Sequence, residues 1–127
     1  MWIKLIILTV VLSAYLSACS VSYVRLNEKD NGRAVSLTGN QSLQIILPSN
    51  ISTGYSWHII SIDTAILKEI GEKKYVQEIK RKGGGGHTIF RFKPAGKGKF
   101  SLKLAYYQAW EKNPSYEKTF TVTILAE

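Results

Sequence analysis

Apolar side chains recur at every second position in short runs along this chain, and no other feature restricts its fold as tightly. Val35 and Leu37 share one such run, as do Leu43, Ile45 and Leu47, then Tyr55, Trp57 and Ile59. Further on come Phe90 and Phe92, then Phe100, Leu102, Leu104 and Tyr106, and last Phe120, Val122 and Ile124. Successive side chains of a strand point to opposite faces, so a period of two marks strands with one buried face. Turn-forming residues separate the runs at Thr38-Gly39-Asn40, Pro48 to Gly54, Gly83 to Gly86, Pro94 to Gly98 and Asn113-Pro114-Ser115. Strands are therefore expected near Val35, Leu43, Tyr55, Tyr75, Ile89, Leu102 and Val122, which predicts an all-β, antiparallel β-sandwich. Asp63 to Gly71 is expected to form one or two helical turns, and no internal repeat is visible. A chain of 127 residues has room for one such core.

The N-terminus breaks the pattern. Met1 to Ala18 carries a single charge, Lys4, followed by an apolar run from Leu5 to Leu12 that grades into small residues. A basic start, a short apolar stretch and a small-residue exit describe an export signal, shorter than the ~20 residues of a membrane-spanning helix. The alternative is an uncut N-terminal anchor. Leu16-Ser17-Ala18-Cys19 then resembles a bacterial lipobox, in which the cysteine is lipidated and the chain cut just before it. Cys19 is the only cysteine, so no disulfide forms within the chain. Acyl chains of the palmitate type anchor through burial of CH₂ groups at about 0.8 kcal/mol each, and two or three give stable attachment. The expected organisation is a lipoprotein signal peptide over 1–18, a lipidated cysteine and spacer over 19–31, and the sandwich domain over 32–127. Its expected place is the bacterial cell envelope, as a lipid-anchored membrane protein. Ser20 after the cysteine resembles proteins sent on to an outer membrane, where the organism has one.

The formal charge of +8 includes Lys4, and its removal leaves +7. A basic domain favours anionic partners. Nucleic acid is not expected, because an exported lipoprotein rarely meets it and no basic helix or aromatic single-strand platform is present. Lys73, Lys74, Lys80, Arg81 and Lys82 form one cluster, and Lys93, Lys97, Lys99 and Lys103 a second. They read as solvated faces of strands and turns, or as surfaces that steer toward an acidic protein partner or contact anionic envelope polymers.

Catalytic chemistry finds little support. A lipidated Cys19 has no free thiol, and His58 and His87 have no second ligand at metal spacing, so neither a metal nor a cofactor is expected. His58 falls opposite Trp57 on a strand and reads as exposed or hydrogen-bonded; His87 begins a strand beside the glycines. The carboxylates Asp63, Glu69, Glu72, Glu78, Glu111 and Glu117 lie in polar, water-facing contexts, unlike a pair tuned for acid–base work. The chain is not expected to be an enzyme or to take a small-molecule substrate.

The loops are more specific. Asn50-Ile51-Ser52-Thr53-Gly54-Tyr55 joins two strands, with Gly54 open to backbone conformations closed to other residues. Gly83-Gly84-Gly85-Gly86 exceeds what a hairpin turn requires and suits close backbone approach to another molecule. Leu104-Ala105-Tyr106-Tyr107-Gln108-Ala109-Trp110 ends a strand with three aromatics. Tyr106 is core by its period; Trp110 is either core or an anchor for a partner. Asn40-Gln41-Ser42 and Asn50-Ile51-Ser52 match a glycosylation pattern, which the lipobox argues against.

In order and spacing these three loops resemble the chagasin-like inhibitors of papain-type cysteine peptidases. That family carries Asn-Pro-Thr-Thr-Gly-Tyr, then Gly-x-Gly-Gly, then Leu-x-Tyr-x-Arg-Pro-Trp. Asn50, Thr53, Gly54 and Tyr55 match the first motif, with Ile51 and Ser52 replacing Pro and Thr. Gly83, Gly85 and Gly86 match the second. Leu104, Tyr106 and Trp110 match the third, while Gln108 and Ala109 stand for Arg and Pro. The resemblance covers roughly Asn31 to Glu127. It implies an immunoglobulin-like sandwich whose three loops enter the active-site cleft of a papain-like peptidase without a covalent bond. Thr53 and Gly54 would lie nearest the catalytic thiol, and Ser52, Gly84 and Gln108 would join the contact. The rival expectation is an envelope scaffold or adhesion lipoprotein that binds glycan or protein through its basic faces.

Overall fold

A computed structural model describes residues 22–78 and 85–127. The signal segment, Cys19, Lys80 to Lys82, Gly83 and Gly84 lie outside the described residues. Among the described residues nine strands form two sheets: β1 (Ser22–Asn27), β2 (Ala34–Leu37), β3 (Gln41–Asn50), β4 (Tyr55–Ser61), β5 (Leu67–Glu69), β6 (Lys74–Gln77), β7 (Gly85–Pro94), β8 (Gly98–Gln108) and β9 (Lys118–Ala126). One sheet has the order β1-β3-β7-β5, with β6 also paired to β7, and the other has the order β2-β9-β8-β4. The inward positions predicted by the alternation meet between them. Leu37, Leu43, Ile45, Leu47, Phe90, Phe92, Leu102, Leu104, Phe120, Val122 and Ile124 are all fully buried. Each such side chain contributes about 1.5–3 kcal/mol on leaving water, so this layer carries the stability.

All seven expected strands are present, and two more lie where the sequence suggested otherwise. Residues 22–31, expected as spacer, form β1 and a 3-10 turn over Glu28–Asp30. Leu26 is buried and Val24 packs on the core, but two alternating apolar residues are too few to announce a strand. The turn closes with a reciprocal capping pair between Asn27 and Asp30. In the second case, Asp63 to Gly71, helix formation stops after one turn. The Asp63 carbonyl accepts from the amides of Ile66 and Leu67, and the chain then extends into β5.

Within the sandwich two edges run parallel, β1 with β3 and β2 with β9. The chain reverses after β1, crosses to the other sheet as β2, and reverses again at Thr38 to Asn40. Two reversals leave β3 pointing the same way as β1. Asn31 secures the crossing: its Oδ1 accepts from the Thr121 amide at 2.8 Å and its Nδ2 donates to the Thr119 carbonyl at 3.4 Å.

Candidate functional site

Strand register decides which loops meet. β3 pairs antiparallel with β7, setting Asn50 opposite Gly85, and β4 pairs antiparallel with β8, setting Tyr55 opposite Gln108. The segment 50–55 links β3 of one sheet to β4 of the other. It therefore lies between the start of β7 on one side and the end of β8 on the other, so the described residues of the three motifs, Gly85 and Gly86 among them, gather at one pole.

The central loop is held from within. Asn50 caps a 3-10 turn over Ile51–Thr53, its Oδ1 accepting from the Ser52 amide at 3.1 Å and the Ser52 hydroxyl at 2.6 Å. Thr53 Oγ1 donates back to the Asn50 carbonyl at 2.8 Å. Gly54 ends the turn at φ +79°, in the left-handed region that disfavours a Cβ. Below the loop the core supplies a post. Tyr106 is 5% exposed, and its hydroxyl accepts from the Asn50 amide at 2.9 Å and donates to the Asn50 carbonyl at 3.3 Å. Its ring packs against Trp57 and Tyr55, with centroids at 5.2 and 5.5 Å. Trp57 Nε1 donates to the Pro48 carbonyl at 2.9 Å, and the buried hydroxyls of Ser49 and Thr88 pair at 2.8 Å. Hydrogen bonds thus tie the described base of the loop, Pro48 to Asn50, to the core below it.

The third loop folds against the first. Gln108 Nε2 donates to the Thr53 carbonyl at 3.2 Å. The six-membered ring of Trp110 lies on the Cα of Gly54, so closely that a Cβ there would overlap Cη2 and come within 2.7 Å of Cζ3. The indole is still 68% exposed. This resolves the two alternatives for Trp110: it is outside the core, at the tip. Ile51, also at the tip, is 52% exposed. Two large apolar side chains, Ile51 and Trp110, are thus presented to solvent at this pole.

The glycines divide into different roles. Gly85 lies beside Asn50, and its carbonyl accepts from the Glu78 amide at 3.0 Å. Gly86 is buried, and a Cβ there would overlap the Val76 carbonyl and approach Tyr75 Oη to 2.7 Å. Gly86 and Tyr106, both expected among the protease-binding loop residues, are buried beneath the tips of those loops. A depression of about 440 Å³ opens between the loops, lined by Asn50, Thr53, Tyr55, Gly85, Tyr106 and Lys118 among others. Lys118 escaped sequence reasoning. Its Nζ stands 5.7 Å from the Tyr106 ring centroid, a contact made by the register of β8 with β9.

His58 lies on the outer face of its sheet, within 2.8 Å of Ser56 Oγ and against the Tyr107 ring at 4.3 Å. Burial pushes its pKa below the usual histidine value, and the Lys73 charge adds to this. Lys73 donates to the Trp57 carbonyl, and burial lowers its own pKa while Glu69 opposes the shift. Among the described residues no three His, Cys, Asp or Glu side chains are grouped to hold a metal.

A model of the chagasin family of peptidase inhibitors matches residues 36–124. The chain belongs to the chagasin family. It is a cysteine peptidase inhibitor and not an enzyme. Amoebiasin-2 of Entamoeba histolytica is 27% identical over 111 residues, spanning 84% of this chain and 90% of its own length. Amoebiasin-1 of the same organism is 28% identical over 100 residues, spanning 78% and 95%. Solved structures agree in fold. A crystal structure of a cysteine protease inhibitor from Entamoeba histolytica superposes with a TM-score of 0.77 at 23% identity, over 87% of this chain and all of that one. PbICP-C, solved in complex with falcipain-2, gives 0.54 at 18% identity over 88% and 96%. The fold is the family's immunoglobulin-like, two-sheet sandwich.

Proposed function

We propose that this family member blocks papain-like cysteine peptidases reversibly and non-covalently, by filling the active-site cleft with the loops at 50–55, 83–86 and 108–110. The register that sets Asn50 beside Gly85 and Tyr55 beside Gln108 carries the proposal, because it makes one continuous edge from three separate segments. Thr53 and Gly54 form the middle of that edge and approach the catalytic thiol. Internal hydrogen bonds fix the loop before binding, which reduces the ordering cost of association. Trp110 supplies an exposed aromatic anchor of the kind that dominates interface energy. The complex of PbICP-C with falcipain-2 supports a protease partner.

The inhibitor works tethered, through acyl chains on Cys19, to a membrane of the bacterial cell envelope, the outer one where two are present. The lipobox-like Leu16-Ser17-Ala18-Cys19 after an apolar signal supports this.

The test is a titration of the chain against a panel of papain-like peptidases. Competitive, one-to-one inhibition that is reversed on dilution is expected. Turnover of the chain as a substrate, or no inhibition across the panel, would refute the proposal.

A further inference from the structure

We infer that the pole of the sandwich opposite the three loops is a docking face for anionic lipid headgroups, which holds the inhibitory edge away from the membrane. The inference rests on the lipidation of Cys19 proposed above and adds the surface that meets the bilayer.

The geometry begins with β1. Its first residue, Ser22, pairs with Gln41 at the start of β3, and the two strands run parallel. β3 then climbs ten residues to Asn50, the base of the central loop. At about 3.3 Å per residue this places the loops roughly 30 Å above the point where the tether joins the sheet. Only Ser20 and Val21 separate Cys19 from β1. Three residue steps of at most ~3.6 Å keep the start of β1 within about 11 Å of an acylated cysteine. A tether so short leaves the sandwich little freedom to turn its other end toward the lipid.

The chemistry of this pole matches the surface it would meet. Antiparallel pairing brings the end of β7 down beside the start of β3, and the turn into β8 follows. Lys93, Lys97 and Lys99 line this turn, and Lys68 on β5 pairs with Lys93. All four are exposed, and among the described residues none forms an ion pair. The acidic groups at the same pole are Asp63, which caps the turn before β5, and Glu127. Glu69, next along β5, interacts with Lys73 on the flank instead. The pole is therefore net cationic. Lysines held within about a Debye length of an anionic leaflet each favour the surface by about fivefold.

The experiment uses the full acylated chain in vesicles of phosphatidylglycerol and phosphatidylcholine containing a headgroup-nitroxide lipid. A fluorophore is attached at K97C or, at the loop pole, at K112C. Expected is quenching at least severalfold stronger for K97C than for K112C, reduced at least twofold in neutral vesicles and in a K68Q/K93Q/K99Q background. That background should inhibit papain as the parent does, which shows that it is folded. Equal quenching at the two sites, or no dependence on lipid charge, overturns the docking face. Mass spectrometry of the same protein separates the two proposals. Acylated Cys19 with unquenched K97C removes only the docking face, whereas an unmodified Cys19 thiol removes the lipoprotein proposal and the docking face with it.

Discussion

Replacing Gly54 with alanine probes the point where two of the three loops touch. Two effects are expected. The first is local: at φ +79° an L-residue costs about 1–2 kcal/mol, so thermal stability should fall by several degrees for a domain of this size. The second reaches the partner. A Cβ at residue 54 would overlap Cη2 of Trp110 and approach Cζ3 to 2.7 Å and Cζ2 to 3.1 Å. The Gly54 backbone cannot retreat, because its amide is bonded to the Ile51 carbonyl at 3.1 Å. The indole, 68% exposed, can swing away, so relief comes at the expense of the anchor. If Trp110 is a hot spot worth about 2 kcal/mol, Trp110→Ala weakens inhibition some thirtyfold, and Gly54→Ala should lose much of the same energy through displacement. A double-mutant cycle on inhibition constants against papain isolates the shared part. In the Trp110→Ala background, Gly54→Ala should cost at least ~1 kcal/mol less than in the parent. Additivity within about 0.5 kcal/mol would refute the reasoning, since it would mean that the two residues act independently.

Tyr106→Phe removes the hydroxyl that serves the Asn50 amide and carbonyl, so chemical denaturation should report a loss of about 1–3 kcal/mol, with weaker inhibition as the central loop loosens. Gly86→Ala should lower the midpoint of thermal unfolding sharply, because the added Cβ meets the Val76 backbone; an unchanged midpoint would show that β6 is free to move. His58 has a pKa below the ordinary value near 6.5, so the unfolded chain binds the extra proton in the window between the two values and stability should fall as pH drops through it. Unfolding of His58→Gln, followed from pH 7.5 to 5, should show a flatter profile there than the parent. Cys19→Ser should leave either unprocessed precursor or unlipidated protein in the soluble exported fraction, and membrane retention of a fully cleaved Cys19→Ser chain would contradict acyl anchoring.

The core was legible in the sequence because burial imposes a period of two on any strand with one wet face. Leu43, Ile45 and Leu47 share one face of a strand, whereas a helix would turn Ile45 away from the other two. The same rule missed β1, where Val24 and Leu26 alone carry the pattern, and β5, where Lys68 and Glu69 follow Leu67 with no alternation at all. Those strands exist because longer neighbours offer them unpaired backbone groups, a property of the sheet and not of the segment. The motif residues Asn50, Gly54 and Trp110 also stood out in the sequence, as turn formers and an aromatic among polar neighbours. Their union at one pole came only as an implication of the family resemblance; physically it follows from the pairings of β3 with β7 and β4 with β8. Nor could spacing reveal that Tyr106 holds Asn50 from below, that Gly86 yields to β6, or that Trp110 rests on Gly54. Sequence fixes periodicity and local backbone preference, which act within a few residues. Only the packed sheets decide contacts such as Asn50 with Tyr106, because a hydrogen bond across 56 residues forms only after burial has brought its two ends together.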